Sequence, residues 1–111
     1  MSVDGTETAP LRLSASPLRR GTVRLAVAGE VDLGTGDALR EVMTRLMGDG
    51  RLTRLVVDFA DVSFLDAAGM AALLAGYRYA EGRSIAFAVV NCRPKALRLL
   101  EIVALDKLLV G

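Results

Sequence analysis

The chain has 111 residues, which suits one compact domain, with a mean hydropathy of +0.40 and a net charge of +1. Charges are mixed along the sequence and only 5% of residues are aromatic, so neither a basic run nor a stacking platform favours nucleic-acid binding. Without histidine and with a single cysteine, Cys92, the chain cannot form Ser-His or Cys-His dyads, histidine metal sites or an intrachain disulfide. We therefore expect neither an enzyme nor a metal or cofactor.

The N-terminal segment, residues 1–9, is polar and is expected to form a flexible arm, followed by a single domain over residues 10–111. It lacks the apolar core of a signal peptide. No apolar stretch reaches the roughly 18 residues that span a bilayer. The sequence therefore predicts a cytoplasmic protein that does not insert directly into a membrane.

Two segments that alternate apolar and polar residues come next, over residues 11–15 and 22–29. Pro17 and the Arg-Arg-Gly run at 19–21 separate them and are typical of a turn. These features predict two antiparallel strands, the first at the edge of a sheet.

A first helix is predicted after the break at residues 34–36. Thr35 is a suitable N-cap, and Asp37 in the first turn would interact favourably with the helix dipole. Apolar residues at helical spacing define one buried face: Leu39, Val42, Met43 and Leu46. The glycines at 48 and 50 end this helix, and an apolar strand from residue 52 or 53 to 59 follows, suited to a central parallel position.

A second helix is predicted from about residue 67 to 81, with Asp66 as its N-cap and Gly82 as its stop. Small residues lie along one side of it: Gly69, Ala72 and Gly76. An interior glycine costs about 1 kcal/mol relative to alanine, so we expect close packing on the sheet to compensate for Gly76.

Residues 84–90 form another apolar strand, 91–93 a loop, and Pro94 begins a third helix, because proline is tolerated at the first helical position. A short element of undetermined type covers residues 105–110. The order β, β, α, β, α, β, α predicts a small α/β domain. Its sheet should be mixed but mostly parallel, with four to five strands and helices packed against it.

Five segments, in this order and spacing, resemble the STAS domain, and more narrowly the bacterial anti-sigma factor antagonists. They are residues 29–32 (GEVD), 56–59 (VVDF), 62–70 (VSFLDAAGM), 90–94 (VNCRP) and 104–109 (ALDKLL). The similarity extends over about residues 11–111.

The resemblance implies a module that binds an anti-sigma factor of the ATP-binding serine kinase type and so frees a sigma factor for transcription. In that family the kinase phosphorylates a serine or threonine at the position of Ala68, which ends binding. Neither Ala67 nor Ala68 has a hydroxyl group, so the resemblance predicts no phosphoacceptor here, and binding that is constitutive or regulated otherwise. The expected partner-binding residues are Asp32, Thr35, Asp66, Ala67, Ala68, Gly69 and Met70.

Structural explanations remain open for several of these residues. Asp66 can be only an N-cap, Asp32 only a turn residue, and Gly69 only a packing residue. Ser63 and Thr35 could be proposed as substitute phosphoacceptors, but a loop hydrogen bond and helix capping already account for them.

Two further alternatives concern the whole chain. Asp58 and Asp61 could suggest acid-base catalysis, but they are placed at a strand end and in a turn, where aspartate is common. STAS modules also serve as scaffolds or subunits of sensory and lipid-transport assemblies, which need no phosphoacceptor. An open edge strand and the apolar surplus also allow a homodimer.

Overall fold

A computed structural model of the chain describes residues 11–94 and Arg98. Its strands and helices are β1 (Arg12–Ala15), β2 (Thr22–Val31), α1 (Gly36–Met47), β3 (Arg54–Leu65), α2 (Ala67–Gly82) and β4 (Ala86–Val90). The strands lie in the order β1-β2-β3-β4 in one sheet. β1 is antiparallel to β2, whereas β2, β3 and β4 are mutually parallel. The predicted α/β fold, with a mostly parallel sheet and one antiparallel edge, is confirmed.

The core lies between one face of the sheet and the two helices. Along β2, Val23, Leu25 and Val27 are buried while the residues between them are exposed, as the two-residue side-chain period of a strand requires. The other largest fully buried side chains come from the end of β2, from α1, from β3 and from α2: Val31, Leu39, Met43, Met47, Leu55, Val57, Phe59 and Leu73. Because α1 and α2 share this face, their N-termini lie beside each other at one end of the sheet.

The predicted close approach at Gly76 is present, and it involves α1 as well as the sheet. A Cβ atom at Gly76 would lie 2.8 Å from Met43 Cε of α1 and 3.3 Å from Phe87 Cε2 of β4. A side chain at this position would therefore force the end of the buried Met43 side chain to move and would tighten the contact with Phe87.

Strand β3 is longer than predicted, and this corrects three assignments. It runs to Leu65 rather than ending at residue 59. Asp58 was expected at the strand end, Asp61 in a turn and Ser63 in a loop, but all three lie within the strand. β2 also continues, to Val31, and pairs with the added part of β3. Two register shifts give β3 extra residues there, and these irregularities break the alternation that would have revealed the strand.

Asp58 joins three strands on the sheet face opposite the helices. Its carboxylate accepts hydrogen bonds from Arg24 Nη2 at 2.9 Å, Asn91 Nδ2 at 3.0 Å and the Ala60 N–H at 2.9 Å. Partial burial opposes ionisation of Asp58, but the hydrogen bonds from Asn91, Ala60 and Arg24 outweigh it, so its pKa is lowered. This network gives Asp58 a structural role in holding the three strands together.

Replacing Asp58 with asparagine is expected to lower the free energy of unfolding by about 1–2 kcal/mol at neutral pH, because three donors lose a charged acceptor. Since the folded-state pKa is depressed, the difference should be present above the unfolded value of about 3.9 and fade as the pH falls through the folded value. Urea unfolding at several pH values measures it. The exposed Asp61→Asn is the matched control and should change stability little; an equal loss for both variants would contradict this role.

The described part of the C-terminal region begins as predicted. Asn91 to Arg93 form a loop, and Pro94 and Arg98 are helical. Cys92 is half-buried, and this burial raises the pKa of its thiol to about 11, as suits an unreactive cysteine. The arm at residues 1–9 and the element at 105–110 lie outside the described residues. Neither α1 nor α2 has the length and apolar character that crossing a bilayer requires.

Candidate partner-binding site

The predicted site residues meet at the carboxyl ends of two adjacent strands. Val31 and Leu65 are the last residues of β2 and β3 and are paired across the parallel ladder. The Asp66 N–H donates a hydrogen bond to the Val31 carbonyl at 3.3 Å, which fixes the start of α2 against the end of β2. The loop after β2 and the first turn of α2 therefore form one continuous surface.

Asp66 is the N-cap of α2, as predicted. Its backbone is extended (φ −118°, ψ −173°), and its Oδ1 accepts a hydrogen bond from the Gly69 N–H at 2.9 Å. The carboxylate satisfies one of the amide groups that the first helical turn leaves without a backbone partner. The cap therefore sets the position of Ala67 and Ala68 at the start of the helix.

The cap gives a direct test of this local structure. Asp66→Ala is expected to lower the free energy of unfolding by about 1 kcal/mol, because the Gly69 amide loses its acceptor. Asp66→Asn keeps an oxygen acceptor and should retain most of the stability. Chemical unfolding of the three proteins measures both effects, and equal losses for alanine and asparagine would contradict a capping role.

Asp32 organises the loop between β2 and α1. Its Oδ1 accepts hydrogen bonds from the Gly34 and Thr35 N–H groups at 3.0 and 3.2 Å. The Thr35 hydroxyl accepts the Asp32 N–H at 2.9 Å and donates to the Glu30 carbonyl at 2.7 Å. Thr35 occupies the N-cap position of α1 but makes no capping hydrogen bond with its side chain. The predicted N-cap position of Thr35 is confirmed, but its side chain does not cap the helix: its hydroxyl closes the loop instead.

This loop packs closely against α2. A Cβ atom at Gly36 would lie 3.4 Å from the Ala68 carbonyl oxygen and 3.5 Å from Ala72 Cβ. Between the two helices runs a groove of about 250 Å³. Its lining residues are Asp32, Leu33, Gly36, Asp37, Arg40, Ala68, Ala71, Ala72 and Ala75. Most of these residues are small and apolar, and three of them, Asp32, Asp37 and Arg40, are charged.

The structure separates the predicted residues into accessible and buried ones. Ala67 is exposed, and Ala68 is half-buried at the edge of the groove. Gly69 is buried: a Cβ atom there would overlap the Val31 carbonyl oxygen. Met70 is 4% exposed and belongs to the core. The accessible part of this helix start is therefore formed by Ala67 and Ala68, with Ala71 and Ala75 farther along the groove.

Two exposed apolar side chains were missed by the sequence analysis. Leu33 is 82% exposed beside the groove, and Phe64 is 49% exposed near the end of β3. Among the described residues, these two are the large apolar side chains that are classed as exposed and not as half-buried or buried. The position of Leu33 between Asp32 and Gly34, in a polar loop, was a readable signal; Phe64 was hidden by the misplaced end of β3.

No group of three or more potential metal ligands comes together within residues 11–94 and Arg98. The site is an accessible surface that combines an exposed apolar side chain, a groove lined by alanines and several carboxylates. Such a combination can bind a protein segment by burial of apolar area with polar contacts around it.

This sheet order, with a capped helix after β3, matches the fold of STAS domains. Residues 14–111 match the family described as "Mlab, STAS domain", and the chain belongs to that family. Over 87 residues it is 34% identical to the anti-sigma-F factor antagonist RsfB of Mycobacterium tuberculosis, covering 78% of this chain and 70% of that one. The resemblance predicted from the sequence is thus confirmed.

Comparison with solved structures gives the same fold family. An anti-sigma factor antagonist from Mycobacterium paratuberculosis superposes with a TM-score of 0.76 at 29% identity, covering 87% of this chain and 80% of that one. The antagonist SpoIIAA in its unphosphorylated form gives a TM-score of 0.77 at 20% identity, with coverages of 89% and 86%. Its phosphorylated form from Bacillus gives 0.72 at 20% identity, with 89% of each chain covered. The likeness to SpoIIAA shows the fold alone.

Proposed function

We propose that this protein is an anti-sigma factor antagonist that binds an anti-sigma factor of the ATP-binding serine kinase type and thereby releases a sigma factor. The observation that carries the proposal is the accessible surface at the start of α2, in a chain 34% identical to an anti-sigma-F factor antagonist. Ala67, Ala68 and Leu33 contribute to this surface.

The chemistry of this surface favours a protein partner. Leu33 is 82% exposed, and burying a leucine side chain fully contributes about 1.5–3 kcal/mol. The alanines of the groove present little bulk, so a partner backbone or side chain can come close to α2. Asp37 is paired with Arg40 at 3.2 Å, so the three charged residues of the groove leave a net charge of about −1, contributed by Asp32, that helps to orient the partner.

The missing hydroxyl at residue 68 bears on regulation. A phosphate on this residue would lie in the first turn of α2, where helix amides and the dipole tolerate an anion. It would also add about −1.5 to −2 charge beside a groove that Asp32 and Asp37 line. Alanine removes this means of ending the interaction, so we propose that binding here is not switched off by phosphorylation at residue 68.

Affinity capture with the purified, folded protein tests the proposal. The ATP-binding serine kinases of the same cell are presented to wild type, to Leu33→Asp and to Gly50→Asp. Both variants add one negative charge; a side chain at Gly50 would meet nothing within 4 Å, and its loop lies at the opposite end of the sheet. We expect wild type and Gly50→Asp to retain one of the kinases and Leu33→Asp to lose it.

Failure of the folded wild-type protein to retain any of these kinases would contradict the proposal. Capture of components of a sensory or lipid-transport assembly would then support the scaffold alternative, which has no need of a phosphoacceptor.

A further inference from the structure

Arginines gather at the end of the sheet opposite the partner-binding site. This end comprises the turn before β2, the loop before β3 with the first residue of that strand, the loop before β4, and the last two turns of α1 and α2. We name it the arginine end after its seven exposed basic residues: Arg19, Arg20, Arg45, Arg51, Arg54, Arg78 and Arg83. The carboxylates of these segments are Glu41, Asp49 and Glu81. The arginine end therefore carries a net charge of about +4, whereas the whole chain carries +1.

Backbone hydrogen bonds hold the three connections of the arginine end side by side. The Gly21 carbonyl accepts the Thr53 and Arg54 N–H groups at 2.7 and 3.0 Å, which joins the turn before β2 to the start of β3. The Thr53 carbonyl accepts the Ala86 N–H at 2.9 Å, which joins β3 to β4. The arginines of these connections therefore belong to one continuous surface.

The positive charge of this surface is largely unpaired. Asp49 and Glu41 are each paired with an arginine of the same element or loop, Arg51 at 2.8 Å and Arg45 at 3.7 Å. No ion pair joins the other five to any residue that the structure describes: Arg19, Arg20, Arg54, Arg78 and Arg83. The excess of charge therefore lies on exposed guanidinium groups that are available to an external anion.

Helix dipoles reduce this charge only in part. The C-termini of α1 and α2 lie at the arginine end, and each dipole places about −0.5 elementary charge there. The two together offset about one of the four positive charges. The surface remains strongly basic.

The make-up of the arginine end suits a flat anionic surface better than a protein. Protein interfaces are built around an apolar core, but Leu33 and Phe64, the exposed large apolar side chains of the described residues, lie at the other end of the strands. A layer of lipid headgroups attracts spread basic residues without an apolar anchor.

Nucleic acid suits this end less well. Groove recognition requires a helix or a ribbon of strands that enters the groove, whereas turns, loops and helix C-termini make up the arginine end. Unpaired bases bind by stacking on aromatic rings, and the Tyr79 ring is already covered by the Arg83 guanidinium at 4.7 Å.

We propose that the arginine end binds the surface of a membrane rich in anionic phospholipid. Guanidinium groups donate hydrogen bonds to the phosphate oxygens of the headgroups, and the contact lies at the surface of the bilayer. Because the arginines are exposed, the attraction weakens as the ionic strength rises.

One consequence rests on the proposed function. β3 has 12 residues and runs from the arginine end to the partner-binding site, a distance of roughly 40 Å, which is several Debye lengths at physiological salt. A chain bound to a membrane in this way would leave the start of α2 free and would hold the anti-sigma factor near the membrane. The lipid contact itself needs no other protein, so its test does not depend on that function.

Cosedimentation of the purified protein with vesicles tests the lipid contact. At about 50 mM salt, vesicles of phosphatidylglycerol and phosphatidylcholine in equal parts should carry the protein into the pellet, and vesicles of phosphatidylcholine alone should not. At about 500 mM salt, binding to the anionic vesicles should fall more than about tenfold. Absence of binding to the anionic vesicles at low salt would overturn the proposal.

Two double variants with the same net charge separate the arginine end from a general effect of charge. Arg19→Gln with Arg54→Gln removes two unpaired guanidinium groups. Each basic residue near an anionic surface strengthens binding about fivefold, so this variant should bind the vesicles about 25-fold more weakly than wild type. Arg12→Gln with Arg98→Gln removes exposed arginines outside the arginine end and should change binding by less than about threefold. Equal losses in the two variants would assign the binding to net charge and overturn the proposal.

A DNA duplex serves as the competing polyanion. Retention of the protein on the duplex, with no binding to the anionic vesicles, would also overturn the proposal and assign the arginine end to nucleic acid.

Discussion

Ala68→Ser is expected to make this protein a substrate of the kinase that it is proposed to bind, with one phosphate incorporated per chain where wild type takes none. The residue is half-buried at the edge of the groove, in the first turn of a helix whose N-cap is Asp66. A serine hydroxyl adds one atom at this accessible edge and leaves the cap intact. Intact-mass measurement after incubation with the kinase and Mg-ATP gives the result.

Ala67→Ser is the matched control, because it places a hydroxyl on the adjacent, more exposed residue. We expect no phosphate on it, since the resemblance to anti-sigma factor antagonists predicts the phosphoacceptor position at residue 68 and not at residue 67. A variant with serine at 68 that binds the kinase but takes up no phosphate would show that loss of the hydroxyl is not what distinguishes this chain.

Phosphorylation of the Ala68→Ser protein should also weaken its binding. The added charge would lie in the middle of the proposed contact surface, where a carboxylate of the partner would be repelled or an apolar group of the partner would be left against a charge. We expect the dissociation constant to rise at least about tenfold, equivalent to about 1.4 kcal/mol.

Gly69→Ala is expected to destabilise the fold by about 3 kcal/mol, because the new methyl group meets atoms that cannot move aside. It would overlap the Val31 carbonyl oxygen and lie 2.8 Å from Val31 Cγ1 and 2.7 Å from Leu65 Cδ1. The carbonyl also accepts the Asp66 N–H, so α2 would have to leave the end of β2. The gain of about 1 kcal/mol in helix propensity does not offset this.

Gly82→Ala provides the comparison within the same helix. A Cβ atom at Gly82 would meet nothing within 4 Å, so the substitution should be neutral or stabilise by up to about 1 kcal/mol. Denaturant unfolding of both variants measures the contrast. Similar free energies for the two would contradict the close packing of α2 on β2.

The regular parts of the fold were predictable because their side chains follow the periods of strands and helices. The alternation of apolar and polar residues predicted β1 and β2, and apolar residues at helical spacing predicted α1. Asp66, as a helix-capping residue, predicted the start of α2. The far part of β3 was not predictable in this way. Its register shifts interrupt the alternation, and charged and polar residues occur where β4 no longer pairs with it.

The candidate site was predictable in position and only partly in detail. Resemblance to a family located the start of α2 and the loop after β2, which the structure brings together. Whether a residue faces solvent or core depends on packing between distant segments, and the sequence did not reveal it. Met70 proves to be buried while Leu33 is exposed, and the Thr35 hydroxyl closes a loop where it was expected to cap a helix.

The persistence of the complex in ATP tests the central claim most directly. Wild-type protein and its kinase partner are mixed, and their dissociation constant is measured before and after prolonged incubation with Mg-ATP, with the mass of the protein followed in parallel. We predict an unchanged constant and an unchanged mass, because residue 68 has no hydroxyl to accept phosphate. Release of the kinase together with a phosphate on the chain would contradict the account, as would failure to bind at all.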